Sequence, residues 1–246
     1  VLTMGLWQTI NRWGQKYARP QNFEQGAEAL LRWLTPLAWG LLLLGLVWGL
    51  AFAPMDYQQK NAFRIIYIHV PAAMLSLSIY CLLAGASFCH FVWRWPLAIL
   101  LARASAGYGA LMTLLALITG ALWGKPTWGT YWTWDARLTS ELILFFLYLA
   151  YLLLQNSLDD RALADRLASL LAVVGLINIP IIHYSVQWWN SLHQGATLFK
   201  MGLPSIAAAM LYPLLVCLLA FYLLYGCYAL RQMQNLMLER RIARLL

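Results

Sequence analysis

Apolar residues in this chain come in long unbroken runs, and the polar residues gather between them. A hydrocarbon core about 30 Å thick takes about 20 helical residues to cross. Runs suited to that length fall at 34–53, 71–93, 100–122, 137–154, 163–183 and 206–229. They are rich in Leu, Ala and Ile and lack the ten-residue alternation of barrel strands, so each predicts a helix that satisfies its own backbone. The expected fold is all-α: one polytopic membrane domain over 1–246, with a cytoplasmic interfacial helix in 1–33, a bundle of six transmembrane helices in 34–229 and a cytoplasmic tail over 230–246.

The flanking segments carry weaker patterns. Leu6, Ile10, Trp13 and Tyr17 recur at helical spacing beside Arg12, Lys16 and Arg19, as an interfacial helix on anionic lipid would need. A disordered basic tail is the alternative. Beyond the sixth run, LRQMQNLMLERRIARLL is rich in helix formers with a basic end. It suits either a projecting helix for a cytoplasmic partner or charge that only sets topology. Residues 1–33 hold four basic and two acidic residues and no apolar core before a small-residue cleavage site, so the first span is expected to remain as an anchor.

Composition agrees with the pattern. At 62% hydrophobic, 11% charged and a mean hydropathy of +0.64, a chain of this length is too apolar for a water-soluble domain. With the N-terminus cytoplasmic, the inner segments hold twelve Lys and Arg residues and the outer ones five, which satisfies the positive-inside rule and returns the C-terminus to the cytoplasm. The net charge of +8 is thus a topology signal. No soluble basic domain is present to hold nucleic acid. Cys81, Cys89, Cys217 and Cys227 lie inside or at the ends of apolar runs without a Cys-x-x-Cys pair, and read as small core residues rather than a disulfide or zinc framework.

The outer connections are long and chemically unusual: APMDYQQKNAFRIIYIHV, WGKPTWGTYWTWDAR and HYSVQWWNSLHQGATLFKMGLPS. His69, His183 and His193 fall on this side, whereas His90 falls at the inner end of the second run. Pro71 at a first helical position would put His69 just ahead of a helix. Imidazole is a common transition-metal and haem-iron ligand, and two imidazoles from different segments can approach one iron from opposite faces. The aromatic surroundings favour that role for His69 and His193; His90 and His183 read as hydrogen-bonded interfacial side chains. Trp123, Trp128, Tyr131, Trp132 and Trp134 crowd one connection. An aromatic belt scatters its rings, whereas this cluster offers an apolar platform with indole N–H donors for a large flat ligand.

Asp135 is placed to cap the fourth helix, with Arg137 in its first turn. There the helix dipole disfavours a cation, and an anion such as a haem propionate would offset the cost. Arg64 and Lys125 are further propionate candidates, and pairing of Arg137 with Asp135 or lipid phosphate is the alternative. Glu141, one turn deeper, must face protein or water. Thr139 and Ser140 are candidate partners for a buried structural hydrogen bond. Asn178 and Pro180 read as a packed kink.

The stretches YQQKNAFRIIYIHVPAA, GKPTWGTYWTWDARLTSEL, DDRALADR and NIPIIHYSVQWWNSLHQG together resemble, in that order, the WWD-motif haem-handling membrane proteins of cytochrome c maturation. The resemblance spans nearly the whole chain. It implies a bacterial inner-membrane protein that binds haem b at the periplasmic face and presents it to a membrane-anchored periplasmic haem chaperone (CcmE-type). It also implies an ABC ATPase with further membrane subunits (CcmA-, CcmB- and CcmD-type), the ATPase driving release of the loaded chaperone. The family's axial histidines map onto His69 and His193, and its tryptophan motif onto Trp123, Trp128, Trp132, Trp134 and Asp135. Tyr131 departs from the usual tryptophan, keeping a flat ring but not an indole. Two alternatives remain at this point: a haem lyase that attaches haem to apocytochrome c, and a subunit that only anchors an ATPase.

Overall fold

The computed structural model describes residues 20–189, 191, 193, 206–243 and 245. The amphipathic pattern of residues 1–19 and Lys200 lie outside the described residues. Helix α1 (Pro20–Val47) continues through a π-helical turn at Trp48–Phe52, and a 3₁₀ turn at Asn61–Ile65 leads into α2 (Ile66–Trp93). Then come α3 (Pro96–Trp128), α4 (Ala136–Ser157), α5 (Arg161–Gly175), α6 (Asn178–Trp188) and α7 (Ala208–Ile242). With α5 and α6 counted as one broken segment, six helical segments among the described residues are long and apolar enough to cross a membrane. The protein is a polytopic all-α membrane protein.

The helices outrun the apolar runs that predict them, because helix formers continue past the hydrocarbon boundary. Residues 20–33 form the first turns of α1. The trailing segment continues α7 to Ile242, where Arg231 pairs with Glu28 at 3.0 Å and Arg241 with Glu24 at 2.8 Å, tying the two ends together. Pro71 does not open α2; the helix starts five residues earlier, at Ile66, so His69 sits within its first turn. The fifth span does break where Asn178 and Pro180 place it. Pro180 has no N–H to give to the Leu176 carbonyl, which accepts instead from Ile179 at 3.1 Å. Asn178 Nδ2 crosses to donate to the Ser140 carbonyl at 2.9 Å.

Helix packing runs α1 on α7, α2 on α3, and α4 against α3, α5 and α6. Hydrocarbon supplies no hydrophobic drive between helices, so close approach through small residues has to hold them. The buried faces follow that rule: Ala102, Ser105, Ala106 and Ala110 on α3, and Ala164, Ala168 and Ala172 on α5. Buried polar groups cross between helices, with Tyr148 donating to the Ser76 carbonyl at 2.8 Å and Arg103 pairing with Asp165 at 2.7 Å. Six spans in alternation put the end of α3, the starts of α2 and α4, and the end of α6 at one end of the bundle. The tryptophan-rich connection lies there.

Candidate functional site

The tryptophan stretch is partly helical. α3 runs on to Trp128 and stops at Gly129, whose φ of +80° lets its N–H return to the Lys125 carbonyl at 3.1 Å, a left-handed cap that suits glycine. Trp123 and Trp128 therefore stand on a rigid helix end, while Tyr131, Trp132 and Trp134 occupy the connection to α4. Trp123 donates its indole N–H to Gln59 Oε1 at 2.7 Å. Gln59 is held by a turn in which Asp56 Oδ1 accepts its backbone N–H at 2.7 Å. Trp132 and Trp134 meet edge to face at 5.3 Å, and Trp134 and Tyr131 are exposed.

His69 packs edge-on against Trp123, ring centroids 5.5 Å apart, and His193 against Trp128 at 4.6 Å. The two histidines are within electrostatic range of each other and of Arg137. Their tautomers follow from the partners of Nδ1. Beside His69, the Thr119 hydroxyl donates its single proton to the Leu115 carbonyl at 2.6 Å. It can then accept from His69 Nδ1, 3.0 Å away, and the Ala116 carbonyl is a second acceptor for the ring. Beside His193, Asp135 Oδ2 accepts from Nδ1 at 2.9 Å and from Ser191 Oγ at 2.6 Å. These contacts favour the proton on Nδ1 in both rings, the tautomer that binds a metal through Nε2, and neither Nε2 has a hydrogen bond among the described residues.

Asp135 serves two elements. Its Oδ1 accepts the Leu138 N–H at 2.8 Å and caps α4, as the sequence predicts, while Oδ2 holds His193. Burial pushes this carboxyl up, but the bonds from Ser191, the Leu138 N–H and His193 outweigh it and keep the group below its ordinary value. Burial holds His193 below its ordinary value despite Asp135, so its imidazole is neutral near pH 7.

The cationic candidates separate. Arg64 gives one terminal nitrogen to the Leu50 carbonyl at 2.7 Å and the other to the Ala53 carbonyl at 2.8 Å, closing the end of α1. Lys125 donates to the Gly129 carbonyl at 3.1 Å and lies over the Tyr131 ring. Arg137 has no hydrogen bond or ion pair among the described residues, although Glu141 and Asp135 are within electrostatic range. Glu141 is satisfied from another helix, by Ser76 Oγ at 2.7 Å, rather than by Thr139 or Ser140. His183 is exposed on α6 against Tyr184, and His90 meets the Trp95 carbonyl at the opposite end.

The residue set suits a flat, anionic, iron-bearing ring. It offers two bare imidazole nitrogens, one uncommitted guanidinium, and buried Trp132 Nε1 and Thr133 Oγ1 groups that have no partner among the described residues. Sequence reasoning missed Thr119, Gln59, Ser191 and Ser76. A hydroxyl inside an apolar span was the one signal that pointed to Thr119 and Ser76; Gln59 and Ser191 carried none.

Comparison with known proteins agrees with this chemistry. Residues 13–246 match the family model CcmC, heme exporter protein C. The heme exporter protein C of Escherichia coli (strain K12) is 46% identical over 233 residues, 95% of this chain and 92% of that protein. That of Haemophilus influenzae is 49% identical over 214 residues, 87% of each chain. A putative cytochrome c biosynthesis ccmC-like mitochondrial protein of Marchantia polymorpha is 43% identical over 206 residues, 84% of this chain and 87% of its own. Similarity at this level along nearly the full length places the chain in the heme exporter protein C family.

Proposed function

We propose that this protein holds haem b at the periplasmic face of the bacterial inner membrane, with His69 and His193 as axial ligands, and presents it to a membrane-anchored periplasmic haem chaperone. Haem handling for cytochrome c maturation follows from family membership, and so does the role of a transport-type subunit rather than an enzyme. The relatives are named as exporters, so the lyase alternative is not favoured. The finer reading rests on one observation: two imidazoles within electrostatic range of one another, each with Nδ1 against an acceptor and with no hydrogen bond at Nε2 among the described residues.

Around that pair, Trp123 and Trp128 would orient the porphyrin, with Tyr131, Trp132 and Trp134 extending the platform. Arg137 suits a propionate because it has no hydrogen bond or ion pair among the described residues; Arg64 and Lys125 already donate to backbone carbonyls. ATP hydrolysis belongs in this reading to a partner ABC ATPase, with further membrane subunits completing the complex. Both termini would lie in the cytoplasm, since the basic residues crowd the other end. Purified protein is expected to show a haem Soret band that collapses in the double variant His69→Ala, His193→Ala. Unchanged haem content there would refute the ligand assignment.

A further inference from the structure

We infer that Thr119 is a positioning residue for His69, and that the two histidines are unequal iron ligands, with His69 the one that exchanges first. The inference rests on the haem site proposed above. His69 is held by one stretch of α3. Thr119 Oγ1 stands 3.0 Å from its Nδ1, the Ala116 carbonyl is a further neutral acceptor for the ring, and Trp123 closes the ring edge at 5.5 Å. Gly120 leaves the space between them: a methyl group there would lie 3.1 Å from His69 Cε1, the carbon bonded to Nε2. The same methyl would lie 3.7 Å from Nδ1, so a side chain at 120 presses on the Nδ1–Cε1 edge of the ring and requires a shift of a few tenths of an ångström there.

The two acceptors differ in kind. His193 donates to a carboxylate that Ser191 and the Leu138 N–H also hold in place. A carboxylate partner makes a charge-assisted bond and raises the basicity of the imidazole behind it. His69 donates to a neutral hydroxyl whose own proton is committed to the Leu115 carbonyl, which does less of both. The bond from iron to His193 is therefore the stronger one. A protein that must give its cargo away gains from that asymmetry. Opening the His69 position leaves haem on His193 and the tryptophans, with one iron face free for an incoming ligand.

The test is cyanide substitution on the full-length, ferric-haem-loaded protein in detergent, followed by stopped-flow absorbance beside the low-spin spectrum. Thr119→Val is expected to speed substitution about tenfold, the scale on which second-shell partners tune metal ligands, and to add a high-spin fraction. Thr119→Ser keeps the acceptor and restores the wild-type rate and spectrum. Gly120→Ala leaves the hydroxyl in place but moves the ring, and is expected to behave like Thr119→Val; with Thr119→Ser it decides the matter if the valine variant fails to load haem.

Asp135→Asn weakens the other ligand and is expected to accelerate substitution less than Thr119→Val. The inference is overturned if Asp135→Asn gives the larger acceleration, or if Thr119→Val and Gly120→Ala match wild type. A wild type without a six-coordinate low-spin spectrum, or one that keeps that spectrum in both His69→Ala and His193→Ala, refutes the proposed haem site itself.

Discussion

Asp135 shows how one side chain can join a local rule to a distant one. Its role as N-cap is written in the neighbouring residues, because a carboxylate ahead of a helical run meets the free N–H groups of the first turn. Its hold on His193 is not, because 58 residues separate the two. Asp135→Ala is expected to lose about 1 kcal/mol of cap and to lower haem affinity about 10- to 100-fold, measured by titration in detergent. Asp135→Asn should keep most of the cap.

The same pair sets a pH dependence. Burial depresses His193 below its ordinary value of 6.5, so the folded site resists a proton that the free side chain accepts. Its contribution is present above pH 6.5 and is lost as pH falls through the depressed value. Asp135 is also depressed, from 3.8, and its contribution disappears only in stronger acid. Haem affinity is expected to be flat above pH 6.5 and to fall on the acid side, as spectrophotometric titration across pH will read; a rise on acidification contradicts the arrangement.

Helix ends were the least legible elements. The third apolar run stops at 122 on composition, yet α3 holds to Trp128 because Trp123 packs against His69 and Phe63 and donates to Gln59. The gain is two tryptophans fixed on a helix rather than on a loop. In the fifth span Asn178 and Pro180 did mark the break, but not its tie to the Ser140 carbonyl. Interhelical hydrogen bonds in membranes average about 0.6 kcal/mol and reach about 1.7. Asn178→Leu is expected to cost about that much in thermal stability, read as a lower midpoint in detergent, with the haem spectrum unchanged.

Across the bundle, the two ends are built differently. The end bearing the histidines leaves Arg137 without a hydrogen bond or ion pair and the Trp132 indole N–H without a hydrogen bond among the described residues, whereas the opposite end holds a buried ion pair. Arg103 meets Asp165 through two nitrogens at 2.7 and 2.9 Å, and Gln155 adds a third bond to the same carboxylate oxygen at 3.2 Å. Removing one member of a buried pair strands the other, at about 3 to 5 kcal/mol. Arg103→Met is expected to lower thermal stability on that scale, and Arg103→Met with Asp165→Leu to recover most of the loss. Equal midpoints for the single and double variants would show that the pair is solvated.

Span number, helical class and the end at which aromatic and histidine residues collect could be read from the chain alone. Each depends on the length and order of apolar runs, and solvation by a bilayer acts on those locally. The partners of the important atoms could not be read that way. Thr119 meets His69 across 50 residues, Ser76 meets Glu141 across 65, and Gln59 meets Trp123 across 64. Such contacts exist only once close packing through small residues has brought α2, α3 and α4 together. The identity of a ligand can be guessed from residue type and neighbourhood. Its tautomer, and whether a carboxylate or a hydroxyl stands behind it, is decided by which helix faces which.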